Sequence, residues 1–312
     1  MMTTVMTTVM TTATAMSDWW DGFWATYNTV IFGVGVSAML ALSIYVTLSC
    51  GLLSLANAAF MGIGAYAASL VSMQTALPFP VALATGAALP TLVALIVGIP
   101  TLRLSGVYLA MATLGFGEVV RVIVLNMDIT GGPMGLNGIP LKTEWWHIVL
   151  LLAGVLYFLA RLRRSKVGRA FEAIKEDDIA ARLMGINVAA YKLLAFAIGA
   201  GIAGLAGALN AHYTFTIGPG NFDFERAVEI LTMAVFGGTG NLIGPTLGGA
   251  ILAVLPEALR WFQDYRLAIN GLILILVILY LPNGIWDPRR IRAWRQRHAG
   301  GGTDTAIKAK AS

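Results

Sequence analysis

Residues 22–102, a run of 81, contain no Asp, Glu, Lys or Arg. As one helix the run would be about 120 Å long at 1.5 Å per residue. A bilayer's hydrocarbon core is about 30 Å thick, so the run has to fold back into about three spans. A soluble fold offers no place for it. The whole chain is 57% hydrophobic and 12% charged, against about 25% charged for soluble domains. The sequence therefore predicts an all-α polytopic membrane protein embedded in a lipid bilayer.

Breaks in the pattern set the spans. Ser49-Cys50-Gly51 and residues 74–80 divide the run into spans at 28–49, 52–72 and 80–102. A fourth, 107–125, carries Glu118 and Arg121, and a loop rich in Gly, Pro and Asn follows at 126–143. Trp145 and Trp146 are placed as interface anchors opening a fifth, 145–162. The most charged segment, 163–189, precedes a sixth span at 191–211 and a polar loop at 212–225. Spans at 227–237, 246–262 and 267–284 complete a set of about nine transmembrane helices (8–10), with a glycine turn at 237–241 between the seventh and eighth. The expected layout is a low-complexity tail at 1–26, a transmembrane domain at 27–286 and a basic tail at 287–312. The first of these opens on a repeated Met-Thr-Thr-Val and lacks the basic n-region of a signal peptide.

The charge pattern sets the expected sidedness. Eight of the 21 Lys and Arg fall in 161–192 and seven after Asp287. Such segments stay cytoplasmic, which puts the C-terminus inside. Four predicted spans separate them, an even number, and counting back places the N-terminal tail outside. A charge confined to two short segments is topological, so nucleic acid is not expected as a partner. The single cysteine, Cys50, excludes an intrachain disulfide, and His147, His212 and His298 have no metal-ligand spacing. No metal is expected. Glycines cluster at 62 and 64, at 199, 201, 204 and 207, and at 244, 248 and 249, spacings that let helix backbones approach closely.

Within 163–189, Ala170, Phe171 and Ile174, then Ile179, Ala180, Leu183 and Met184, recur at helical spacing. Charged residues surround them. The pattern predicts an amphipathic helix or helix pair on the cytoplasmic face, with Gly168 and Gly185 ending the helical pieces.

Ala180-Ala181 with Gly185 matches the A-A-x3-G part of the EAA loop of ABC-importer permeases; Ile179 stands where that loop has Glu, with acids displaced to Glu176, Asp177 and Asp178. A closer resemblance is to the LivM-type permeases of branched-chain amino acid importers. It rests on GLLSLANAAFMGIGAYAASL at 51–70, LRLSGVYLAMATLGFGEVVR at 102–121, TGGPMGLNGIP at 130–140, SKVGRAFEAIKEDDIAARLMGINVAAYKLLAFAIGAGIAGLAGAL from Ser165, and VFGGTGNLIGPTLGGAIL at 235–252. The resemblance implies a bacterial inner-membrane subunit that is not an enzyme. Its implied partners are a homologous LivH-type permease, two cytoplasmic ABC ATPases that hold ATP-Mg, and a periplasmic substrate-binding protein. Agreeing with this, the chain has no GxxxxGK[ST] phosphate loop, and no cofactor is expected in it. The coupling residues implied are Gly168, Arg169, Phe171, Glu172, Ile174, Glu176, Ile179, Ala180, Ala181 and Gly185. Phe171, Ile174 and Ile179 are expected to be buried in an ATPase groove.

Path residues are more open. Glu118 and Arg121, three apart, can pair as a structural tie or line the path. Asn57 can line the path or bond between helices. Gly237, Gly238, Thr239 and Asn241 make either a tight interhelical turn or the tip of broken helices. The substrate expected is a branched-chain or related hydrophobic amino acid, with urea, short amides and aromatic acids as alternatives. A stand-alone secondary transporter or channel, or a membrane enzyme, are the competing classes. Neither a chain of intramembrane acids and histidines nor a catalytic cluster supports them.

Overall fold

The structure, a computed structural model, describes residues 28–258 apart from Ala76. The expected tails at 1–26 and 287–312 and the span at 267–284 lie outside the described residues. Among the described residues ten α-helices run in order: α1 (Asn28–Ser49), α2 (Asn57–Gln74), α3 (Phe79–Thr101), α4 (Val107–Asn126), α5 (Trp145–Arg164), α6 (Lys166–Glu176), α7 (Asp178–Leu183), α8 (Val188–Thr214), α9 (Phe224–Gly237) and α10 (Ile243–Ala258).

Five of these, α1, α3, α4, α5 and α8, are long and apolar enough to cross a membrane, with mean hydropathy between 1.7 and 2.1. These five, with the shorter apolar helices, are what the described residues show of the expected set of about nine spans. α2 is more polar, and α9, at 14 residues, is only about 21 Å long. Neither needs a fully apolar surface, because α2 packs against both α3 and α8 and α9 packs on α10. Backbone and polar groups shielded by protein escape the lipid's penalty.

Small residues build the centre. A Cβ on Gly64 would collide with the Gly204 backbone, and one on Gly204 with the Gly86 carbonyl, so α2, α3 and α8 meet at backbone contact. Close approach of this kind substitutes for a hydrophobic drive that lipid does not supply. α1 is 72% buried over its apolar window and α8 67%, whereas α4 and α5 are each 17% buried and form the rim.

The second span starts later than predicted. Residues 52–56 are not helical, and α2 begins at Asn57. The Leu55 N–H donates to Thr113 Oγ1 (3.0 Å) and the Ala56 N–H to Ser54 Oγ (3.2 Å). Hydroxyls thus replace the helical bonds of an extended, buried backbone. Asn57 Nδ2 donates to Ser43 Oγ at 2.8 Å, six residues or about 9 Å before the end of α1.

On the opposite side, β1 (Leu136–Asn137) pairs antiparallel with β2 (Thr216–Ile217), Leu136 opposite Ile217. This two-residue ladder is the one departure from an all-α architecture among the described residues. It fixes the loops at 126–143 and 212–225 on one face, as the span count requires.

Candidate functional site

Ser165 caps α6, its Oγ accepting from the Val167 and Gly168 N–H groups. Gly168 therefore lies inside the first turn and does not end a helical piece, contrary to expectation. Its role is approach: a Cβ there would be 2.5 Å from the Arg163 and Leu162 carbonyl oxygens of α5. α6 folds back tightly on α5 and turns its apolar face into the chain's own core. Phe171 and Ile174 are each 3% exposed. The expected burial of these two in an ATPase groove is corrected, since Phe171 sits edge-to-face on Tyr191 of α8 at 6.3 Å.

α7 behaves differently. Asp177 caps it, Oδ1 accepting from Ile179 N–H (2.8 Å) and Ala180 N–H (3.0 Å). These bonds, the one from Ala180 foremost, hold the Asp177 carboxyl below the usual range. Asp178 bonds Lys192 of α8 at 2.5 Å, and Ala181 is buried, so the short helix is fixed against α8. Gly185, at φ +82°, ends the helical segment in the left-handed region that favours glycine. Ile179 is 73% exposed, and Leu183 and Met184 83% each. Arg169, Glu172, Glu176 and Ala180 are exposed around them. The displaced acids thus have two jobs that the motif comparison missed: Asp177 is a cap and Asp178 a tether.

Arg163, at the end of α5, links this segment to the glycine turn. Its Nη1 donates to Asn241 Oδ1 (2.6 Å), its Nη2 to the Gly240 carbonyl (3.2 Å), and its Nε lies 3.6 Å from Glu172. Sequence reasoning passed over Arg163, because its partners lie 77 and 78 residues away. The turn is a tight interhelical one: Gly237 meets the Gly244 backbone directly, and Gly238 has φ +91°. Thr239 is half-buried in it.

The predicted path residues are not brought into one cluster. Asn57 makes the interhelical bond to Ser43 described above. Arg121 Nε donates to Glu118 Oε2 at 2.8 Å along α4, with both side chains partly exposed. Arg226 and Glu229 make a similar pair on α9 at 2.5 Å. Among the described residues no group of His, Cys, Asp and Glu is placed to hold a metal.

Residues 26–278 match the family described as branched-chain amino acid transport system / permease component. The chain belongs to this family. It is 33% identical over 291 residues to the high-affinity branched-chain amino acid transport system permease protein LivM of Salmonella typhimurium, covering 82% of this chain and 67% of that protein. The Escherichia coli LivM aligns with the same identity and coverage. The LivH permease protein of Salmonella typhimurium is 38% identical over 141 residues, 44% of this chain and 45% of that one. No solved structure matches the chain. Membership makes the chain a multi-pass membrane permease component of a branched-chain amino acid ABC transport system, a transport subunit and not a catalyst.

Proposed function

We propose that this LivM-like chain pairs with a homologous LivH-type permease to form an ATP-driven path for branched-chain or other hydrophobic amino acids. Two cytoplasmic ATPases dock on the face carrying α6 and α7. A periplasmic binding protein delivers substrate to the opposite face, at the loops 126–143 and 212–225. About nine spans, between a tail at 1–26 and a cytoplasmic basic tail at 287–312, complete the subunit.

The observation that carries this reading is α7. It leaves Ile179, Leu183 and Met184 exposed beside charged residues, on a helix that Asp178 and Ala181 fix to α8. An apolar face with a charged rim suits a helix-in-groove contact, the rim setting register. α6, seated by Gly168, Phe171 and Ile174, is the arm that passes a displacement of α7 to α5. Arg163 carries it on to the turn at 237–241.

The test is reconstitution of the chain with its LivH-type partner, ATPases and binding protein in proteoliposomes. ATP-dependent leucine uptake and retention of the ATPases on the tagged chain are expected. A chain that never retains an ATPase, or that carries leucine alone down a gradient, overturns the reading.

A further inference from the structure

The cleft between α2, α4 and the turn at Pro219–Phe222 holds a polar group that the fold leaves unsatisfied. Tyr66 is 4% exposed, and its hydroxyl has no hydrogen-bond partner among the described residues. A phenol in that state is costly, and most buried hydroxyls find a partner. Tyr66 lines a cavity of about 10 Å³, no larger than a water molecule needs, together with Arg121, Gly62, Gly117 and Phe222. Arg121 uses only its Nε, on Glu118; its other N–H groups have no partner among the described residues. A second cavity, also of about 10 Å³, shares Gly117 and Phe222 with the first and is lined by Glu118. The base and the acid of one ion pair therefore line adjacent cavities. The Phe222 ring stands between them, 6.0 Å from the Tyr66 ring and edge-on to it.

We propose that this cleft is a subsite for an amino-acid zwitterion crossing the membrane. The inference rests on the transport reading above. The substrate carboxylate replaces Glu118 on the Arg121 guanidinium and accepts from the Tyr66 hydroxyl. The substrate ammonium takes over the Glu118 carboxylate. Each charge exchanges one partner for another, so none is left bare in an apolar site. Arg121 suits the task, because its planar fork binds a carboxylate through two parallel bonds. Neither cavity admits an amino acid as it stands, both being far below the roughly 300 Å³ of a small-molecule site. The Phe222 ring packs where a Gly62 side chain would stand and lines both cavities, so its displacement opens the space between Tyr66 and the ion pair.

The experiment uses the assembled importer in proteoliposomes with leucine as the probe. Tyr66→Phe lowers the maximal uptake rate per assembled complex by about tenfold, the loss of one hydrogen bond to a charged group. The half-saturating concentration, set by the external receptor, and the basal ATPase rate stay unchanged. Exchanging the pair, Glu118→Arg with Arg121→Glu, keeps a salt bridge but turns the charges around relative to Tyr66, and uptake stays low. If the exchanged pair does not assemble, Glu118→Gln with Arg121→Gln is read instead, with the same loss expected. A wild-type rate in Tyr66→Phe or in the exchanged or uncharged pair overturns the subsite and leaves the pair a structural tie. A wild-type complex that carries no leucine overturns the transport reading itself.

Discussion

α6 and α7 follow one another with Asp177 alone between them, and both are apolar at helical spacing. α6 turns its apolar residues inward until Phe171 and Ile174 are 3% exposed, while α7 leaves Leu183 at 83%. The 11-residue helix is seated by a glycine against α5 and an aromatic contact to α8; the six-residue helix is tied to α8 by one ion pair and buries one alanine. The difference teaches that one amphipathic stripe divides into a buried anchor and an exposed face. A rigid anchor lets a force applied at the face reach the spans.

The largest effect expected from this contrast is at the anchor. Phe171→Ala removes a buried aromatic and costs about 3–5 kcal/mol. Thermal unfolding of the detergent-purified subunit checks it, and an unchanged midpoint would erase the distinction between the two helices. Leu183→Asp should act oppositely, leaving the midpoint alone and reducing ATPase retention about tenfold, or ~1.4 kcal/mol. Equilibrium capture of the ATPases by the tagged subunit reads this; undiminished capture would break the assignment of α7 as the docking face.

Gly185 gives a finer measure. Nothing lies within 4 Å of a Cβ there, so Gly185→Ala introduces backbone strain alone, about 1 kcal/mol at φ +82°. A modest loss of transport per ATP is expected, and Gly185→Glu, which adds a charge beside the docking face, should uncouple the two with insertion intact. Normal uptake by the Glu variant would remove Gly185 from the coupling surface.

The smallest effect concerns Asp177. Its folded pKa is lowered, so its capping bonds are complete above the ordinary aspartate value and are lost as pH falls through the lowered one. Coupling through α7 is therefore flat across neutral pH and falls only in acid. Asp177→Asn, which caps without titrating, should abolish that acid limb in an ATPase assay. A limb that persists in the variant assigns it to another group.

Much of this was legible from spacing. The predicted end of the first span at Ser49 coincides with the end of α1, because Ser49-Cys50-Gly51 interrupts the run and Gly51, at φ +75°, cannot continue a helix. Glu118 and Arg121 pair at the i,i+3 spacing that marks one helix face. The late start of α2 was not legible, since Leu55 bonds a hydroxyl 58 residues away. Nor was the inward turn of Phe171, because periodicity names an apolar face without naming what covers it. The Arg163 link likewise depends on partners far along the chain, and the open hydroxyl of Tyr66 on the packing of Phe222 against it.

The uncharged run of 81 residues determined by itself that this chain lives in a bilayer and folds back on itself, because lipid cannot solvate the alternative. The motifs pointed to the family. Only the tertiary structure decided which apolar face is core and which is surface, and which polar groups are spent on structure. Those choices are made by contacts between residues distant in sequence, and within one segment the two faces look alike.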